Sequence, residues 1–142
     1  MELLAVGENS DGVFFENSRT TFATISDGSS NTVLVGERSG ELNLTGFTGS
    51  SGEEFFNSSW IGIVEGSLHT GWRVVGWTGE PPNNLPTSEV HFHGYAQFNS
   101  NHPGTTNFSF CDGSTHGISD GVDFEVFRAL GSTNGGEVVG EY

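Results

Sequence analysis

In the stretch 102-HPGTTNFSFCDGSTHG-117 nine residues separate a histidine from an Asp-Gly pair, with Phe108 and Phe110 alternating between them. Imidazole can act as general base or metal ligand, and Asp112 could orient it or share a cation. Geometry limits that use. At roughly 3.3 Å per residue, an extended strand holds His102 and Asp112 about 30 Å apart, too far to act on one substrate atom. Pro103-Gly104 demands a fixed bend, so His102 is expected to anchor the chain's entry into a hairpin that Asp112-Gly113 reverses.

Three other groupings have the right residue types for chemistry. His91 and His93, at i and i+2, share one face of a strand, and with His102 or His116 they could assemble ligands for Zn²⁺ or Cu²⁺. Asp112, Asp120, Asp123 and Glu125 supply oxygens of the kind Ca²⁺ prefers, with Asp112, Asp120 and Asp123 as the candidate ligands. Their spacing is not that of an EF-hand, and aspartates also belong in turns and at helix starts without any metal. Trp60, Trp72 and Trp77, with Tyr95, would make a sugar-stacking platform if exposed and core if not. The pair Glu53-Glu54 lies near aromatic residues, but nothing fixes a carboxylate separation suited to glycoside hydrolysis. Cys111, the single cysteine, is expected to be a small half-buried strand residue; as a nucleophile it would need a base, and His116 is the candidate. No P-loop, G-x-S-x-G, H-E-x-x-H or dinucleotide fingerprint occurs.

The elements that must carry these residues are short and turn-bounded. The 142 residues suit one domain, 1–142, with 22 glycines and a richness in Ser, Thr and Asn that describes β structure with uncharged polar faces. Eighteen acidic residues against four arginines and no lysine give a net charge of −14, which repels phosphate backbones and anionic lipid and favours cations or basic proteins as partners. No apolar run long enough to cross a membrane is present.

Along the chain, 13-VFF-15 reads as a short strand, 26-SDGSSN-31 as a turn, and 32-TVLVGE-37 as a central strand buried on both faces. The stretch 40–59 reads as a long loop, 60–66 and 71–77 as strands, 79–89 as a Pro-rich loop and 90–98 as a strand. A hairpin over 106–119, closed by a two-residue Asp112-Gly113 turn, would set Phe110 opposite Thr115 and Ser109 opposite His116, with only the Phe face buried. A helix over 120–131 carries Val122, Val126, Phe127 and Leu130 on one stripe and stops at Gly131, and 137-EVV-139 could add a last strand. The expected fold is α+β, mainly β: an antiparallel sheet of short strands with one C-terminal helix packed on it.

The strings 11-DGVFF-15, 26-SDGSSNTVLVGERS-39, 91-HFHGYAQFNSNHPG-104, 107-NFSFCDGSTHGIS-119 and 134-NGGEVVGEY-142 together resemble a large bacterial family, abundant in planctomycetes, of prepilin-like, processing-associated proteins named for an H-x9-DG motif. His102, Pro103, Gly104, Asn107, Asp112 and Gly113 carry that motif here. The resemblance implies the extracellular or cell-surface head of a type II secretion pseudopilin-like subunit, with a pilin- or pseudopilin-head fold. Its partners would be like subunits or other pilin-like proteins, its work assembly or display, and it would be no enzyme. The leader and hydrophobic N-terminal helix of such proteins are absent from this chain, so the chain itself implies no membrane contact. Two departures stand out: Thr105-Thr106 where a glycine and a small residue are usual, and Gly117 where a larger residue is common, so the hairpin face is expected to be underfilled. Related pseudopilins can carry calcium, which makes a Ca²⁺-dependent binding module, with carbohydrate as its ligand class, the alternative function.

Overall fold

A computed structural model describes residues 11–15, 18–39, 75–84, 97–136 and Tyr142. Its framework is a three-stranded antiparallel sheet in the order β1-β2-β3, formed by Val33–Gly36, Thr105–Phe110 and Thr115–Ser119, followed by helix α1, Phe124–Leu130. The fold is α+β with more strand than helix, as the sequence implies. No helix among the described residues is long and apolar enough to cross a membrane.

The central strand is β2, which alternates half-buried and buried residues. Thr106, Phe108 and Phe110 point into the core, and Phe108 and Phe110 join Val33, Ile118, Phe127 and Leu130 there. The rings meet edge to face: Phe98 and Phe127 lie 5.0 Å and 5.5 Å from Phe108, centroid to centroid. Such contacts add about 0.5–1.5 kcal/mol per pair beyond burial itself. Gly36 of β1 is the floor under two of them, for a Cβ there would run into the rings of Phe108 and Phe98.

Several expectations are corrected. Among the described residues the run at 32–37 is not central, because β1 pairs there with β2 alone, its register shifts between Val33 and Val35, and Val35 is exposed. A β-branched run alone does not distinguish a doubly buried strand from a bulged edge. Residues 13–15 form no strand: the Val13 carbonyl accepts the Thr20 hydroxyl at 2.8 Å and the Phe15 carbonyl accepts Ser18 N–H at 3.0 Å, so both are spent on turns. The helix starts at Phe124 and not at 120. Asp120 N–H reaches back to the Gly104 carbonyl, Val122 N–H closes a turn on Ser119, and Asp123 then caps the helix by accepting from Glu125 and Val126 N–H. Gly131 does end it, with Thr78 packed where a Cβ would stand.

The hairpin register differs by one residue. Phe108 pairs with His116, Ser109 with Thr115, and Phe110 N–H bonds the Ser114 carbonyl at 2.9 Å. The turn therefore holds three residues, Cys111, Asp112 and Gly113, with Gly113 in the left-handed region at φ +87°. That longer loop is the second common way to close a hairpin, and D-G satisfies it equally well. A one-residue slip exchanges the faces of the return strand. His116 thus joins the aromatic side, 5.1 Å from the Phe110 ring, and Gly117 lies on the polar side. Nor is that side underfilled at Gly117, where the Thr105 hydroxyl occupies the space and bonds the Ile118 carbonyl.

Long-range bonds tie the outlying segments to this sheet. Thr133 N–H and hydroxyl both donate to the Asp11 carbonyl at 2.8 Å, and Ser26 N–H donates to the Thr133 carbonyl at 2.8 Å. The Asp27 carboxylate takes Gly135 N–H at 2.8 Å and Gly136 N–H at 2.9 Å. Ser39 N–H bonds both the carbonyl and the side-chain oxygen of Asn99, 60 positions away.

Candidate functional site: the two ends of the motif hairpin

At the entry to β2, two motif side chains converge on Glu37, the residue that follows β1. Its Oε2 accepts Asn107 N–H at 2.8 Å and Asn107 Nδ2 at 3.1 Å, while His102 Nε2 lies 3.3 Å from Oε1. The backbones are joined as well: Glu37 N–H donates to the Asn107 carbonyl and Asn99 N–H to the Glu37 carbonyl. Chiefly because of the Asn107 backbone N–H, the Glu37 carboxyl is held below its ordinary range; the Asn107 and Ser100 side chains and His102 add to this, and desolvation opposes it. His102 is more than half exposed, so its share is a surface ion pair. Gly104, at φ +74°, makes the bend that Pro103 begins, and its carbonyl receives Asp120 N–H.

At the other end Asp112 closes on its own turn. Oδ1 accepts Ser114 N–H at 2.8 Å and the Ser114 hydroxyl at 2.7 Å, and these bonds lower its pKa, the hydroxyl first. His116 Nε2 sits 3.1 Å from the same hydroxyl. The turn is also fastened from outside: Cys111 N–H donates to the Thr32 carbonyl and Asp112 N–H to the Ser29 carbonyl. Tyr142 covers this end, stacked 5.6 Å from Phe110 and edge-on 6.0 Å from His116.

The remaining candidates separate. Asp112 and Asp120 lie beyond opposite ends of β3; Asp120 Oδ1 accepts Asn83 Nδ2 at 2.8 Å and Asp123 caps α1. Among the described residues no group of three or more His, Cys, Asp or Glu side chains could hold a metal ion. The proposed Asp112, Asp120, Asp123 calcium set is therefore not brought together, because the hairpin keeps its turn and its base apart. Cys111 is buried, and burial, reinforced by Asp112, pushes its thiol pKa up, away from the thiolate a nucleophile needs. His116, its candidate base, bonds Ser114 instead. Trp77 is partly exposed, bridges to Gln97 and lies where a side chain on Gly79 would have to go. Trp60, Trp72, Tyr95, Glu53, Glu54, His91 and His93 lie outside the described residues, as do the expected strands at 60–66 and 137–139.

Sequence reasoning missed three organising residues. Glu37 receives both His102 and Asn107. Asn83, left-handed at φ 59°, accepts Ser100 N–H at 2.9 Å and reaches Asp120 and Thr106 with its amide. Asp27 grips the Gly135-Gly136 turn. The available signal lay in the strings themselves: 26-SDGSSNTVLVGERS-39 contains both Asp27 and Glu37.

Fold and site together define a small α+β domain whose motif side chains are engaged in fastening a β-hairpin to segments distant in sequence. The family model described as SBP_bac_10, protein of unknown function (DUF1559), matches residues 5–125, and the chain belongs to that family. No curated protein and no solved structure matches it.

Proposed function

We propose that this chain is the extracellular head of a pseudopilin-like subunit of the H-x9-DG kind, displayed on a bacterial surface or secretion filament, with like subunits or other pilin-like proteins as partners. One observation carries the reading: His102, Asn107, Asp112 and Gly113 are all engaged in holding the hairpin, through Glu37 at one end and Ser114 at the other. A motif whose side chains are occupied in holding a hairpin, by way of Glu37 and Ser114, suits a scaffold for display better than a reaction centre. The net charge of −14 fits an exposed head that must stay dispersed and away from anionic lipid.

Protease shaving of intact cells that express the full-length gene product tests the reading. Release of head peptides from whole cells, and their recovery with sheared surface filaments, is the expected result. Protection of the head in intact cells, with cleavage only after lysis, would overturn it.

A further inference from the structure

The two edges of the sheet are built differently. β1 is interrupted by a bulge and runs directly into the charged pair Glu37-Arg38, and Arg38 bridges to Asn99. These are devices that keep a strand edge from pairing with another chain. β3 has none of them: Thr115, His116, Gly117, Ile118 and Ser119 include no Lys, Pro, Asp or Glu and pair with β2 over five consecutive residues without a bulge. All but Ile118 are exposed.

The ladder fixes which backbone groups face outward. Bonds from Phe110 N–H to the Ser114 carbonyl and from Asp120 N–H to the Gly104 carbonyl bracket it, so Ser114, His116 and Ile118 turn their N–H and C=O toward β2. Those of Thr115, Gly117 and Ser119 point away from the sheet. The Ser119 carbonyl accepts Val122 N–H, whereas among the described residues no backbone bond outside the sheet falls on Thr115 or Gly117.

We propose that β3 is the contact strand for a second copy of this chain, the two strands pairing antiparallel about Gly117 to join two sheets into one. In that register Gly117 meets its own counterpart, and Thr115 meets Ser119 of the partner subunit, so the outward groups on each side face one another. The register also suits so acidic a chain. Asp120 comes opposite Ser114 and Asp112 opposite Val122, and no carboxylate meets a carboxylate. The bare Gly117 and small Thr115 and Ser119 side chains let the backbones approach. The inference rests on the reading that like subunits are partners, and it names the surface through which they would meet.

Sedimentation of the purified chain from micromolar to millimolar concentration tests it, with Thr115→Lys as the variant and Asn134→Lys as the charge-matched control on an exposed turn. A five-residue edge falls well short of the roughly 1,000 Å² of a stable interface, so dimerisation on the order of millimolar is expected. Thr115→Lys should weaken it at least tenfold, although it lowers the net negative charge, while Asn134→Lys should not. The double variant Thr115→Cys/Ser119→Cys should give a disulfide dimer linking position 115 to position 119, identified by peptide mapping. Unaltered association in Thr115→Lys, or a wild-type chain that neither associates at millimolar concentration nor yields that link in the cysteine variant, overturns the β3 contact. Surface exposure in the shaving experiment is read separately and can stand or fall alone.

Discussion

The two ends of the motif hairpin use the same kind of group in opposite ways. At the turn, the Asp112 carboxylate bonds Ser114, two positions on, through both its N–H and its hydroxyl. At the base, Glu37 bonds a residue 70 positions away, and the motif's His102 and Asn107 have their meaning only through it. A local carboxylate shapes the turn through its neighbour, while the turn's backbone is held from outside by Ser29 and Thr32. A distant one registers β1 against β2, so the sheet's order depends on the base and its reversal on the turn.

Substitutions can break or sharpen this contrast. The largest effect is expected from Phe108→Ala, in the strand that joins the two ends: loss of a fully buried ring should cost about 3–5 kcal/mol in chemical denaturation and loosen both ends together. Gly113→Ala should cost about 1 kcal/mol, because alanine resists the φ of +87° that the three-residue turn requires. Glu37→Gln is expected to cost about 1 kcal/mol, below what a buried hydrogen bond to a charged group contributes, since the carboxylate is partly exposed and screened. Amide hydrogen exchange should then quicken at Asn107 and leave the Asp112 turn protected; uniform loosening would erase the distinction. His102→Ala should lie within about 0.5 kcal/mol of wild type, as an exposed ion pair does.

The pH response follows from Glu37's depressed pKa. A carboxyl that is more acidic in the folded state contributes stability above its unfolded pKa, and that contribution fades as pH falls through the folded value. Acid should therefore destabilise wild type more than Glu37→Gln, read as a narrowing gap between their melting temperatures on acidification. Asp112, also depressed, acts in the same direction. A gap that widens in acid would contradict the assignment.

What the sequence revealed follows the same division between local and distant. The helix stripe with Phe127 and Leu130, the alternation of Phe108 and Phe110 and the turn at Asp112-Gly113 all depend on neighbours within a few residues, where periodicity and turn chemistry suffice. The register of the hairpin was misread because D-G fits both a two- and a three-residue loop, and the choice rests on Cys111 and Asp112 being bonded to Thr32 and Ser29. β1 was misplaced for a similar reason: a β-branched run shows that a strand exists but not how many neighbours it has. Glu37, Asn83 and Asp27 were illegible as partners because each bonds a segment far along the chain. The order of the resembling strings was the one trace of that organisation, for several of those strings are the ones that the long-range bonds join.

The bond of Ser39 to Asn99 has a consequence for how such a domain can diversify. The chain departs from the sheet and returns to it through one doorway, with Ser39 N–H held by Asn99 at 2.7 Å to its side-chain oxygen and 3.1 Å to its carbonyl. Whatever lies between has its ends already fixed in place. For a loop whose ends are pinned, closure entropy rises by only about 0.6 kcal/mol for each doubling of length. The doorway thus separates two evolutionary tempos: material can be gained, lost or exchanged beyond it, save at Thr78 and Asn83, whose contacts with Gly131, Thr106 and Asp120 belong to the helix end and the hairpin base.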